Sequence, residues 1–150
     1  MVGHIFSALF VYIALISLSL PSVRAVQQIQ RKSLETYIEE VTGRESVVNC
    51  GEYPWCKSRS KEALQESLAC AEGSTKQQKP FRIVLHVMGT DSFGAYGVLS
   101  DATGRAFFFA YDSQPCGGPD CAERFSKKAC RLSEVSVGFN GARYRLELRR

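Results

Sequence analysis

Histidine is scarce in this chain, and the motifs that usually accompany catalysis are missing. Only two of the 150 residues are histidine, and one of them, His4, precedes the first long apolar run. The sequence has no Gly-x-Ser-x-Gly elbow, no pair of histidines at metal-binding spacing and no glycine-rich phosphate loop. We therefore expect a protein that is not an enzyme and that uses no cofactor.

A strong excess of one charge is also absent. Lysine and arginine together number 19 against 15 for aspartate and glutamate, and the basic residues are dispersed along the chain. Binding to nucleic acid usually depends on a concentrated basic surface, so we expect no nucleic-acid partner. No long apolar run follows residue 25, so we expect no stable insertion into a membrane. We also expect a monomer.

The one long apolar run lies at the N-terminus. It extends without a charge from Ile5 to Leu20, which is short for a membrane span of roughly 20 residues but suits the apolar region of a signal peptide. Pro21 ends the run, and Val23 and Ala25 occupy the −3 and −1 positions of a cleavage site. The sequence therefore predicts a signal peptide over 1–25 and secretion to the extracellular space; an uncleaved signal anchor is the alternative.

Residues 26–47 form a cysteine-free N-terminal extension. Ser33 is placed to cap a helix in which apolar residues recur at helical spacing: Leu34, Tyr37, Ile38 and Val41. The dibasic pair at 31–32 is of the kind that a processing protease cuts. The extension is thus either a helix that stays attached, which we favour, or a propeptide.

Residues 48–150 are predicted to form the main domain, beginning with a loop and a helix. Pro54 argues against a regular strand, so residues 50–56 are predicted to form an irregular loop in which Trp55 buries its ring. Ser60 caps a helix over 61–71. Pro119 suits the first turn of a second helix, over 119–129.

Strands account for the rest of the domain. Alternating apolar residues predict strands over 81–88, 93–99 and 105–111, and a final hairpin over 134–139 and 142–148 turns at Asn140–Gly141. The fold class expected is α+β: an antiparallel sheet of about five strands with two helices packed on one face, stapled by disulfides.

Every cysteine lies within this domain. In an exported chain disulfides are the default, so we expect all six to pair, without a choice of partners: Cys50, Cys56, Cys70, Cys116, Cys121 and Cys130. On the predicted second helix, Cys121 and Cys130 face different elements and should not pair with each other. Zinc is the alternative, but only Cys116-x4-Cys121 approaches zinc-site spacing, so we expect no metal.

The cysteine spacing, with residues around it, resembles the fungal killer toxins of the KP-four family. The resemblance covers residues 48–148, and the chain lacks further cysteines that the family typically carries. It implies a small secreted α/β-sandwich protein that acts on other cells, in a family linked to block of calcium uptake through membrane channels. Its most specific parts are Asn49–Cys50-x5-Cys56 and Thr103–Gly104, leading through Ala110–Tyr111 to Cys116.

A basic cluster is the binding site that this resemblance suggests. Lys76, Lys79 and Arg82 lie where the killer toxins carry a basic loop, matched by position and charge. A cationic loop of this kind suits an acidic channel mouth. We therefore expect a secreted killer-toxin-like protein or effector, antifungal or virulence-related, whose partner is a target-cell membrane protein such as a calcium channel, or a host protein. A solvated polar linker is the plainer interpretation of the same residues.

Two other functions stay open. One is a secreted ribonuclease-like enzyme or effector that uses His86, with Glu72, Asp91 or Arg82 folded close to it. A histidine in a strand is more often structural, so we expect no catalytic residue. The other is a host-protein or cell-wall binder without toxicity.

Overall fold

A computed structural model of the chain describes residues 32–43, 46–118 and 121–149. The predicted signal peptide and its cleavage site lie outside the described residues. In chain order the elements are α1 (Leu34–Thr42), β1 (Val48–Tyr53), α2 (Lys61–Lys76), β2 (Phe81–Met88), β3 (Phe93–Ser100), β4 (Ala106–Asp112), β5 (Arg124–Cys130), a short 3-10 helix (Leu132–Glu134), β6 (Val135–Phe139) and β7 (Tyr144–Leu148).

A five-stranded sheet in the order β1-β2-β3-β4-β5 forms the centre of the protein. Strand β1 runs parallel to β2, with α2 as the crossover between them, and the remaining neighbours are antiparallel. Strands β6 and β7 form a separate two-stranded hairpin. The predicted α+β class with an antiparallel sheet of about five strands is confirmed in its main features. It differs in two respects: the β1–β2 pair is parallel, and the C-terminal hairpin, expected in the main sheet, forms a sheet of its own.

The two helices lie on opposite faces of this sheet. Ile83 and Leu85 point into a core that also contains Leu64 and Ala71 of α2 and residues of the β6–β7 hairpin. Val84, which lies between them and therefore points the other way, belongs to the core covered by α1. The predicted pair of helices on one face, over 61–71 and 119–129, is therefore not found, because residues 124–130 form a strand and the other helix described, α1, covers the opposite face from α2.

The predicted second helix is also wrong. Residues 124–130 form β5, which pairs along its length with β4, and residues 119–120 lie outside the described part. Phe125 stacks on Tyr37 of α1 at 4.7 Å between ring centroids. In a segment this short, the pattern of apolar residues is compatible with either a helix or a strand. Pairing with the otherwise free edge of β4 stabilises the strand.

Two local predictions are corrected around residues 50–76. Residues 50–53 belong to β1, since Pro54 limits regular pairing only from its own position onward, and Trp55 is 42% exposed rather than buried. Ser60 does cap α2, its hydroxyl accepting from the Ala63 amide at 3.1 Å. That helix continues beyond residue 71 to Lys76 because Ser74 is buried against the core side.

Four of the six cysteines are paired. Cys50–Cys70 joins β1 to α2, and Cys116–Cys121 closes the connection from β4 to β5. Cys56 and Cys130 are free thiols, so the expectation that all six pair is wrong for these two. They cannot meet because Cys56 follows β1 and Cys130 ends β5, at the two edges of the sheet. Burial raises the pKa of the Cys130 thiol, which keeps it protonated and unreactive.

The turn between β3 and β4 is held by one carboxylate. Asp101 Oδ1 accepts from the Thr103 amide at 2.9 Å, the Thr103 hydroxyl at 2.6 Å and the Arg105 amide at 3.0 Å, and Gly104 adopts a φ of 82°. Partial desolvation opposes ionisation, but these hydrogen bonds outweigh it and lower the pKa of Asp101 below that of an ordinary aspartate.

Replacing Asp101 by alanine should lower the free energy of unfolding by about 1–2 kcal/mol at pH 7, since three donors lose their acceptor. A carboxyl whose folded pKa is depressed contributes stability above its unfolded pKa and loses it as pH falls through the folded value. The difference from wild type, measured by urea unfolding, should therefore shrink below pH 4. Asp91→Ala, in the exposed turn of the neighbouring hairpin, is the control; an equal loss there would contradict the assignment.

Candidate functional site

The predicted basic cluster does not form one free cationic surface. Lys76 and Lys79 are exposed at the end of α2 and in the linker that follows. Arg82, on β2, is bonded instead to two carboxylates, Glu35 of α1 and Glu52 of β1. Its charge joins α1 and β1 to β2, and it is not free to contact a partner.

His86 lies in the same network. Its Nε2 is 3.1 Å from Glu52 Oε1, and its ring lies 5.3 Å from that of Phe93. The carboxylate beside the histidine is therefore Glu52, not Glu72 or Asp91. Glu52 lies 34 residues earlier in the chain, and only the parallel pairing of β1 with β2 brings the two together.

The geometry of His86 favours a structural role. Acid–base catalysis needs a ring nitrogen within hydrogen-bond reach of the substrate proton. Nε2 is held by Glu52, and Nδ1 is buried with no partner in the part of the chain that the structure describes. The imidazole instead supports the exposed ring of Phe93.

Val87, Met88 and Phe93 form an exposed apolar end of the β2–β3 hairpin, which we call the apolar tip. Met88 and Phe93 are paired across the two strands, and Met88 is 55% exposed. The turn beyond them is closed by a hydrogen bond of 2.9 Å from the Gly89 amide to the Ser92 carbonyl. Single exposed apolar residues are ordinary on a protein surface, but a group of them at the end of one hairpin is typical of an interaction site.

A second surface lies between the β6–β7 hairpin and the main sheet. It is a cleft of about 390 Å³, which we call the arginine cleft. Its charged lining consists of Arg59, Arg143, Arg145 and Glu147, and its aromatic lining consists of Tyr96, Phe108 and Tyr144. Nothing in the local sequence signals this site, because its residues come from four separate segments.

The electrostatics of the arginine cleft centre on Arg59, which is only 5% exposed. Its Nη2 donates to the carbonyl oxygen of His86. Burial raises the pKa of the neighbouring Tyr96 hydroxyl, although Arg59 and Arg145 nearby act in the opposite direction. Glu147 accepts from Arg145 Nε at 2.6 Å, so the one carboxylate in the cleft is already bound.

Among the described residues, no group of three histidine, cysteine, aspartate or glutamate side chains is placed to hold a metal ion. None of the helices described is long and apolar enough to cross a membrane. No protein-family model, curated protein or solved structure matches this chain.

Proposed function

We propose that this protein is a secreted binding protein of the toxin or effector type, which acts by contacting a protein on another cell. The observation that carries this proposal is the apolar tip. Burying Val87, Met88 and Phe93 against a partner would remove apolar surface from water that the folded chain leaves exposed.

The frame behind the tip suits binding better than chemistry. The tip ends the β2–β3 pair, and the Glu52–His86 hydrogen bond and the His86–Phe93 ring contact support it. A side chain that is already oriented loses less conformational freedom on binding. Nδ1 of His86 is buried and Nε2 contacts Glu52, which also supports a role without catalysis.

The more specific proposal is that the target protein is a membrane channel. It is supported by the motifs that resemble the killer toxins, since that family is linked to block of calcium uptake through membrane channels. The strand at 124–130 and the two free cysteines are departures from the sandwich that the resemblance implies. The proposed class of function, binding without catalysis, does not depend on the channel.

Replacing Met88 by lysine should weaken binding to sensitive cells about tenfold or more, as expected when a central contact residue of an interface is lost. The matched control is Phe139→Ser, which removes an equally exposed apolar side chain on the separate hairpin. Binding of labelled protein and growth inhibition are measured on fungal cells and plant roots. Lys79→Glu, assayed beside them, tests the basic-loop interpretation: unchanged potency would exclude Lys79 from the contact.

Three results would overturn the proposal. Equal activity of Met88→Lys, Phe139→Ser and wild type would remove the tip from function. Binding of the tip to protein-free lipid vesicles would replace the protein target by a lipid surface. RNA cleavage by purified protein that disappears in His86→Ala would instead establish the ribonuclease alternative.

A further inference from the structure

Arg59 is a buried cation without an anionic partner. It lies in the segment between β1 and α2, where its side chain reaches under the strand end to the His86 carbonyl. No carboxylate among the described residues forms an ion pair with it, and its Nε has no hydrogen-bond partner within them. The polar groups beside its guanidinium, the His86 carbonyl and the Tyr96 hydroxyl, are neutral.

Burying a guanidinium without an anionic partner lowers the stability of the folded state. A guanidinium cannot escape the cost by losing its proton, and buried charges in proteins are normally paired. The neutral acceptors around Arg59 satisfy only part of its five donor hydrogens. Because Arg59 lines the cleft, its remaining donors suit an anion bound there.

Two further properties of the cleft define which anion would fit: its net charge, and its aromatic walls and volume. Three arginines face one glutamate, and the Arg143 guanidinium donates to the Trp55 carbonyl, at 3.1 Å, and forms no ion pair with a carboxylate of the described residues. The excess of positive charge is therefore two. The walls beside the charged groups are the rings of Tyr96, Phe108 and Tyr144, and the volume of about 390 Å³ exceeds what a single inorganic ion fills.

We propose that the arginine cleft binds a small phosphate monoester with a flat apolar body, its phosphate at Arg59 and Arg145 and its body between the aromatic side chains. A phosphate monoester carries a charge of about −1.5 to −2 at neutral pH, which matches the excess charge of the lining. Arginine contacts phosphate through paired donors, and flat rings stack on aromatic side chains. This inference is independent of the apolar tip, whose residues do not line the cleft.

The test uses the full chain after signal removal, with phenyl phosphate as the probe in isothermal titration calorimetry and in thermal melts. We expect saturable one-to-one binding, a melting temperature that rises with probe concentration, and weakening as sodium chloride is added. Inorganic phosphate should bind more weakly because it leaves the aromatic walls empty, and phenol should not bind because it lacks the charge.

Arg145→Gln should weaken phenyl phosphate binding about tenfold or more, the range for a charge-assisted hydrogen bond. This arginine is half exposed, so its loss leaves the core intact. Arg59→Met should abolish binding, with the melting temperature recorded to confirm folding. The matched control is Arg149→Gln, an exposed arginine just past β7 and outside the cleft, which should bind like wild type.

Absence of heat and of a melting shift at millimolar phenyl phosphate would overturn the proposal. So would unchanged binding in Arg145→Gln, or equal weakening in Arg149→Gln, which would indicate a general charge effect. Phenol binding as tightly as phenyl phosphate would show an apolar pocket, and inorganic phosphate binding equally tightly would exclude the flat body.

Discussion

Replacing Gly97 by alanine is expected to lower the free energy of unfolding by about 3 kcal/mol, the upper part of the range for overpacking a core. Gly97 lies in β3, the central strand of the five. A Cβ atom there would overlap the carbonyl oxygen of Ile83 and lie 3.1 Å from Cε1 of Phe109. The first is backbone and the second belongs to a ring that is fully buried, so neither can move aside without shifting a strand.

Gly73→Ala is the matched control for this prediction. Gly73 lies inside α2, and a Cβ atom at that position meets nothing within 4 Å. Alanine should therefore stabilise the protein by about 0.5–1 kcal/mol through helix propensity. In urea unfolding, the free energy of unfolding should fall for Gly97→Ala and rise for Gly73→Ala. A loss below about 1 kcal/mol for Gly97→Ala would contradict the close contact between Gly97 and the Ile83 carbonyl.

Replacing Ile38 by alanine should cost about 3 kcal/mol, within the range for truncating a buried isoleucine. Ile38 is 2% exposed and lies in the core formed by α1 with Val84, Leu99 and Phe109. Loss of its side chain leaves a cavity between helix and sheet. Chemical denaturation at neutral pH measures the effect.

Glu39→Ala provides the comparison, because Glu39 is exposed on the same helix and its replacement should change stability by less than about 0.5 kcal/mol. If Ile38→Ala were equally harmless, α1 would be an appendage, and the propeptide interpretation of 26–47 would regain support. A large loss would instead mean that a chain cut after residue 47 exposes Val84, Leu99 and Phe109 to water.

Several elements could be predicted from the sequence because the signals that define them are local. Strand β2 follows from alternating apolar residues, and the last hairpin follows from Asn140–Gly141 between two apolar segments. The helix caps at Ser33 and Ser60 were also predictable, and each hydroxyl accepts from the amide three residues later. These features depend on neighbours within a few residues.

The candidate sites depended on contacts between distant segments. Glu52 meets His86 only because β1 pairs with β2, and the arginine cleft exists only where the β6–β7 hairpin packs on the main sheet. The basic cluster predicted from the sequence consists of residues close along the chain, Lys76, Lys79 and Arg82. In the structure, Arg82 is bonded to carboxylates of two other elements. Proximity in sequence is a poor guide to which charges remain free.

By itself, the sequence determined the α+β class, the strand periods, the hairpin turns and the first residues of both helices. Only the tertiary structure decided that residues 124–130 are a strand, that the two helices cover opposite faces, and that Cys56 and Cys130 stay apart. The physical reason is the same in each case: a local pattern limits which structures a segment is able to form, and contacts with distant segments select the stable one. The unpaired edge of β4 selects the strand, the two apolar faces of the sheet each take one helix, and the width of the sheet separates the two cysteines.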